Sequence, residues 1–484
     1  MMSINMAHTA ATPDAPTLQR HFGLLHATAL NISMIVGSGV FVTIPLILLE
    51  LPGPYALLAW IFAGLLMVAD GMIWSELGAM MPGSGGSYLY LLEAFGKNRW
   101  GKLMAFLFVW QFLISGPLEI GSGLVSIAIF SNGLHPEIAK FSEKHTVEAK
   151  FIEDKEHEID VGMTFNPSRW FAFAIGILIV LLLYRRITTL GKLTITIWLG
   201  VLGVLAWILI EGAIHADPKT VFDTSQVGDV KNPAGALGQA MLLAMYAYLG
   251  YYNICYIGDE VKEPGKTIPR SIFISALAVT ILFVGVHVAM LGVVPWTDVP
   301  HDKEKLDTFS LAADFMRRLH GDWAASLVSL LLIWSCIGAA FAGLLGYSRI
   351  PYGAARYGHF FPIFGKVHPT MRFPYVSLLA VSGLALFWTF FDLGNVINAL
   401  VTTRIIEQFV AQIIGVMLLR KMQPDRPRPY RIWLYPVPCF VALVGWLYLY
   451  WASGVLFIAI GLITLAAGLL AYGIWFRRGE DEMK

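Results

Sequence analysis

The sequence predicts an all-α polytopic membrane protein of twelve transmembrane helices, on three observations. The 484 residues are 57% hydrophobic and 14% charged, against about a quarter charged in soluble chains. Mean hydropathy is +0.65, and several apolar runs exceed the ~18–20 residues that cross a bilayer as a helix. Residues 432–476 contain no Asp, Glu, Lys or Arg, enough length for two spans joined by a tight turn near Ser453-Gly454.

In chain order, residues 1–22 form a polar tail rich in Pro, Thr and His, without the apolar core of a cleaved signal. A core over 23–421 holds ten spans. The first five lie at 24–49, 54–81, 102–131, 168–185 and 193–214; the second five lie at 234–258, 270–295, 323–350, 373–391 and 394–420. Residues 422–476 add two spans, 432–451 and 454–476, and 477–484 form a short tail. The net charge of +1 says little about partners, and no basic cluster suggests nucleic acid. Cys255, Cys336 and Cys439 fall in or beside apolar spans and read as small buried hydrophobes, not as a disulfide or metal set. No grouping of His and acids suggests a cofactor.

An even span count puts both termini on one side, and the positive charges choose it. With the termini in the cytoplasm, 22 of the 34 Lys and Arg residues fall inside and 11 outside, with Arg404 in the membrane. Most of the outside charges lie on two long loops, which weigh least in orientation. The loop 132–167 also carries Glu148, Glu153, Asp154, Glu156, Glu158 and Asp160.

Span one is interrupted by Ile35-Val-Gly-Ser-Gly-Val-Phe41. Glycine in a helix interior costs ~1 kcal/mol relative to alanine, and unpaired backbone survives at membrane depth only inside protein or beside a cavity. Close helix packing on Gly37 and Gly39 is one explanation. Span six offers a second interruption, Tyr246-Ala-Tyr-Leu-Gly-Tyr-Tyr-Asn253, with polar aromatics crowded around Gly250. Matched interruptions five spans apart point to the binding site of a secondary transporter. A broken helix bares N–H donors at one end and C=O acceptors at the other, which favour a carboxylate and an ammonium respectively. An α-amino acid carries both.

At these residues the sequence resembles the amino acid–polyamine–organocation (APC) superfamily, and most of all its L-amino-acid transporter branch and prokaryotic relatives. Four more blocks keep the family order: 75–96 (SELGAMMPGSGGSYLYLLEAFG), 258–272 (GDEVKEPGKTIPRSI), 335–360 (SCIGAAFAGLLGYSRIPYGAARYGHF) and 424–436 (PDRPRPYRIWLYP). The resemblance implies two inverted five-helix repeats, 24–214 and 234–420, with helices 1 and 6 unwound at mid-membrane and alternating access around them. It implies that the backbone of Val36, Gly37, Ser38, Gly39 and Val40 holds a substrate carboxylate. Carbonyls near Tyr246, Ala247 and Leu249 would take the amino group, Tyr246 would act as an aromatic lid, and Gly250, Tyr251 and Tyr252 would shape the side-chain pocket. Several relatives place a lysine in span five in lieu of sodium; here that position falls at Trp198 or Leu199, and Lys192 lies too near the span's end. The Gly-Gly-Trp-Asn stretch of the branch is replaced by Leu249-Gly250-Tyr251-Tyr252-Asn253. No cysteine at the start of the loop before span four invites a disulfide-linked accessory subunit.

Ionisable residues within spans are costly and often functional. Glu119, between Gly116-Pro117 and Gly121-Ser122-Gly123, is the first candidate for proton coupling. Asp70 and Glu76 lie in span two, Glu76 as an expected partner of cytoplasmic-side basic residues. Arg404 and Glu407 stand three apart and are expected to pair on one helix face. His287 reads as a hydrogen-bonded core histidine, and Ser335 as a possible sodium ligand. The segments 83–96 and 359–369 occupy corresponding places in the two halves and read as packing or gating elements at the cytoplasmic interface.

The resulting expectation is a secondary carrier of neutral amino acids in the plasma membrane, an exchanger or proton symporter. A polyamine carrier of the same fold would need a midplane acid such as Glu119 or Asp70. A non-transporting amino-acid sensor is the rival from another class. The lack of a Ser/His/Asp set or a GxxxxGK[ST] loop argues against an enzyme or an ATP-driven pump.

Overall fold

In the computed structural model, residues 20–481 are described, apart from 84, 97–98, 155–158, 185–189, 231 and 372. Most of the expected N-terminal tail and the end of the C-terminal tail lie outside the described residues, as do the side chains of the span-five stretch that includes Trp198 and Leu199.

The chain is a helical membrane protein. Among the described residues, six helices are long and apolar enough to cross a bilayer: 53–80, 100–133, 264–291, 322–356, 393–422 and 455–475. A bent pair, Leu24–Ile35 and Gly39–Glu50, is long and apolar enough to make a seventh when taken as one span, and four shorter apolar helices lie at 167–183, 200–215, 375–388 and 437–452. Rows of large apolar side chains, among them Leu65, Ile281, Leu447 and Leu470, face outward along these helices. In water such surface would be a liability; in hydrocarbon it costs nothing.

The interior is closed by small-residue contacts and large aromatics. Trp60, Trp74 and Trp446 are fully buried. Trp60 donates through Nε1 to His287 Nδ1 at 3.0 Å, so the histidine is the hydrogen-bonded core residue the sequence suggested. The three cysteines are free and buried, and no group of metal-ligating side chains occurs among the described residues.

Two regions depart from the sequence reading. The loop 132–167 is folded, not irregular: helix Pro136–Lys144 is followed by antiparallel strands Val147–Asp154 and Ile159–Phe165. This hairpin docks on the turn before span ten, where the Thr164 amide donates to the Phe390 carbonyl at 2.7 Å. The hairpin escapes a hydropathy reading because its first strand mixes Glu148, Lys150, Glu153 and Asp154 with apolar residues and shows no clean alternation. Span six is interrupted after Tyr248, as expected, but beyond the break helix Pro233–Tyr248 continues only as short 3-10 turns, Asn253–Tyr256 and Gly258–Glu260, and not as a second α-helical half.

The segment 83–96 does not simply rest at an interface. Its helix Ser87–Ala94 buries Tyr90 and Leu91, and Ser87 Oγ bonds Tyr256 Oη at 3.2 Å beneath span six. Its counterpart in the second half meets it directly: Tyr88 and His359 are hydrogen-bonded, their rings 5.7 Å apart.

Candidate functional site

The helix Leu24–Ile35 stops because Val36 turns extended, and Gly39–Glu50 resumes at an angle of 50°. No side chain caps the second helix. Among the described residues, the amides of Gly37, Ser38, Gly39 and Val40 donate no hydrogen bond. A Cβ placed on Gly37 would meet nothing within 4 Å, so the backbone borders open space at that residue. Four bare amides at a helix start form a ready anion site.

The second interruption lies against the first. Tyr248 ends its helix and Leu249 departs into extended backbone, with its amide on Tyr246 O at 3.2 Å. Gly250 adopts φ +109°, where a side chain is strained. Its missing Cβ would sit 2.9 Å from the carbonyl oxygen of Met34 on span one. On the other flank Gly39 faces Tyr246 Cε1 and Ala247 Cα, at 3.5 and 3.7 Å from a built Cβ. Asn31 Oδ1 accepts from the Ile254 amide at 3.1 Å and binds the flanks together. The Tyr246 carbonyl is thus already used by Leu249, while those of Ala247 and Leu249 accept no backbone bond among the described residues.

Around this pair the structure assembles most of the expected polar residues. Tyr246 Oη lies 2.9 Å from Ser122 Oγ, which donates to the Glu119 carbonyl at 2.7 Å. The Glu119 carboxylate accepts from Arg404 Nη2 at 2.6 Å and from Tyr347 Oη at 2.7 Å. Arg404 also donates to Ser115 at 3.1 Å. The expected Arg404–Glu407 pair does not form. Residues Ile405–Val410 make a π turn, which shifts the register by a residue, and Arg404 reaches across to span three instead. Glu407 is left with its Oε1 buried and without a hydrogen-bond partner among the described residues.

Asp70 sits behind the site. Tyr251 Oη donates to it, and Trp446 Nε1 donates at 3.1 Å. Tyr252 is buried and stacks on Trp74 with centroids 4.3 Å apart. Glu76 is the structural partner the sequence suggested, held by Arg420 at two oxygens, by Arg428 Nε at 3.5 Å and by the Ile432 amide at 2.9 Å.

In span eight the residue that meets the interruption is Cys336, whose Sγ lies 3.0 Å from Ser38 Oγ; Ser335 has no described contact there. A thiol is a poor ligand for a hard cation. Sequence reasoning missed Cys336, Tyr347, Ser122 and Asn31. Asn31 and Ser122 had a signal, a lone amide or hydroxyl in an apolar span; Cys336 and Tyr347 had none beyond their block.

Two unwound segments in contact, with donors on one and acceptors on the other, is the geometry a zwitterion requires. Residues 22–473 match the amino acid permease family. The chain belongs to that family. It is therefore a membrane transporter and not an enzyme. The permease is 26% identical to the branched-chain amino acid permease BcaP of Bacillus subtilis (strain 168), over 97% of this chain and 96% of that one. It is 27% identical to the serine/threonine exchanger SteT of the same organism, over 88% and 90% of the two chains. It is 26% identical to the human large neutral amino acids transporter small subunit 2, over 96% and 82%. Because these matches run nearly end to end, the family covers both interruptions, the network on Glu119 and the last two apolar helices of the permease together.

Proposed function

We propose that the protein carries neutral L-amino acids across the plasma membrane by alternating access, as an exchanger or a proton-coupled symporter. In this reading the chain makes twelve crossings, the first ten as two inverted five-helix repeats, and the Lys and Arg asymmetry favours both termini in the cytoplasm. The observation that carries the reading is the contact of the two interrupted helices, Gly250 against Met34 O and Gly39 against Tyr246 and Ala247. The amides at 37–40 take the substrate carboxylate, and the carbonyls of Ala247 and Leu249 take its ammonium. Tyr246 closes over the bound amino acid. Its hydroxyl bonds Ser122, whose Oγ donates to the backbone carbonyl of Glu119, and so ties the lid to the helix whose Glu119 carboxylate meets Arg404. The substrates named for BcaP, SteT and the human subunit are uncharged, which favours neutral side chains, whereas the human cystine/glutamate transporter, 28% identical over 86% of this chain, also names an acidic one.

A polyamine would need an available carboxylate. Glu119 is held by Arg404 and Tyr347, and Asp70 by Tyr251 and Trp446, so neither is spare; the acid left for a cation is Glu407, whose Oε1 has no hydrogen-bond partner among the described residues. The decisive experiment is uptake of labelled leucine, serine and putrescine into proteoliposomes, with imposed proton or sodium gradients and with or without internal amino acid. Saturable leucine or serine uptake, stimulated by internal substrate or by an inward proton gradient, is expected. Binding without uptake would point to a sensor, and putrescine uptake alone would overturn the amino acid reading.

A further inference from the structure

Of the four intramembrane acids the sequence singled out, three are compensated. Glu76 is closed on Arg420 and Arg428, Glu119 on Arg404, and Asp70 accepts from Tyr251 and Trp446. Glu407 is the fourth. It is 3% exposed, it sits in the π turn Ile405–Val410, and its Oε1 has no hydrogen-bond partner among the described residues. π turns inside α-helices frequently mark functional sites.

The surroundings define the ligand. Glu407 acts electrostatically on Tyr450 of helix Val437–Ala452. Tyr450 Oη and Thr402 Cγ2 stand 3.2 and 3.8 Å from a Cβ built on Gly461, so this side of span ten faces the last two helices and not the interruptions. The charged groups on the neighbouring elements are engaged with one another. Span three brings Glu119, closed on Arg404; toward the far end of span ten, Glu76 meets Arg420 and Glu93 meets Arg426. Residues 432–476 bring no charge. The phenols are Tyr252, on span six, and Tyr450, which donates to the Ile458 carbonyl at 3.2 Å. A carboxylate without a countercharge is costly at this depth, whereas the neutral acid needs none. A metal ion needs several ligands, and no such group occurs among the described residues; a polyamine needs as many acids as it has ammonium groups. A proton needs one oxygen and no volume.

Span ten also carries a path for it. Asn398 Oδ1, Thr402 Oγ1 and Gln412 Oε1 are buried without partners as well, so four such atoms fall within fifteen residues of one helix. Buried polar atoms of this kind are where internal waters bind. Asn398 and Thr402 step from Glu407 toward the hairpin end and Gln412 toward the other, at intervals of ~6–8 Å along a helix. The same turn touches the substrate site. Phe409 stacks on Trp446 with centroids 3.9 Å apart and meets the Tyr252 ring at 6.1 Å. Ionising Glu407 demands water, and water enters when the π turn parts from the last two helices, a movement that shifts Phe409 against Tyr252.

We propose that Glu407 is the proton-binding site of this carrier. It takes a proton from water when the cleft beside Tyr450 is hydrated, holds it while the turn is buried, and returns it to water after the transport movement, so that one proton travels with each cycle. The inference rests on the amino acid reading above and chooses proton symport within it. It also moves the coupling group from Glu119, which Arg404 and Tyr347 occupy, to span ten.

The test uses the full-length protein in proteoliposomes that enclose a pH-sensitive dye. Labelled leucine or serine added outside should enter faster under an inward proton gradient and should acidify the lumen. Glu407→Gln keeps the size of the side chain and should lose both responses, while exchange of internal for external amino acid continues at the wild-type rate. Glu407→Asp should retain both. Infrared spectra of the wild type at neutral pH should show the C=O stretch of a buried carboxylic acid that Glu407→Gln removes. Size exclusion confirms that each variant is folded. Proton-driven uptake that survives Glu407→Gln, a wild type indifferent to the proton gradient, or a missing infrared band overturns this proposal and leaves amino acid transport standing. Loss of exchange together with the proton response in Glu407→Gln also overturns it, because that marks a structural role. No uptake and no exchange in the wild type overturns both readings.

Discussion

Two glycines in the interrupted spans look alike in the sequence and do different work. Gly37 borders open space, while Gly250 is pinned at positive φ with a carbonyl of the other span where its side chain would be. Alanine at position 37 should therefore be tolerated and alanine at 250 should not. Gly250→Ala pays a left-handed backbone penalty of ~1–2 kcal/mol and forces the spans apart, so leucine or serine uptake should fall at least ~10-fold. Gly37→Ala should stay within ~2-fold of wild type, a shift of only ~0.4 kcal/mol. Equal effects of the two variants would contradict the geometry. The sequence singled out both glycines but could not rank them, because the difference lies in what stands opposite.

A π turn, a hairpin and a bridge between helices decide how the elements bear on the site. Three-residue spacing suggested that Arg404 pairs with Glu407 on its own helix. The π turn at Ile405–Val410 breaks that register, and the guanidinium, 3% exposed, crosses to Glu119. Removing one partner of such a pair leaves a buried charge. Glu119→Gln should lower stability by roughly 3 kcal/mol, read as a fall in thermal midpoint in detergent. Adding Arg404→Met to Glu119→Gln should recover most of that loss. If the single and double variants unfold alike, the pair is not what joins spans three and ten. A π turn cannot be read from hydropathy, since insertion of one residue preserves composition. The hairpin was illegible for a related reason: its strands pair with each other and with Phe390, and neither partner is signalled by apolar periodicity.

For the whole molecule, the proposed sidedness follows from the charge asymmetry. The end bearing the hairpin and residues 302–308 should face outward, and the end bearing Glu76 and residues 420–432 should face the cytoplasm. A membrane-impermeant maleimide should label Thr308→Cys in intact cells and Lys421→Cys only after permeabilisation. Background should be low, because Cys255, Cys336 and Cys439 are buried. The reverse pattern would invert the orientation and move the hairpin to the cytoplasmic face.

By itself the sequence determined that this chain is a helical membrane protein, where most of its crossings lie, and that spans one and six are interrupted by Gly37-Ser38-Gly39 and Leu249-Gly250. Those properties follow from hydropathy, length and the conformational cost of glycine, which are local. Only the tertiary structure decided that the interruptions touch, that Arg404 belongs to Glu119, that Cys336 meets Ser38, and that Glu407 is left buried with an oxygen unpartnered among the described residues. Those depend on which surfaces face one another across hundreds of residues, and a single chain's local chemistry does not encode that choice in any stretch short enough to read.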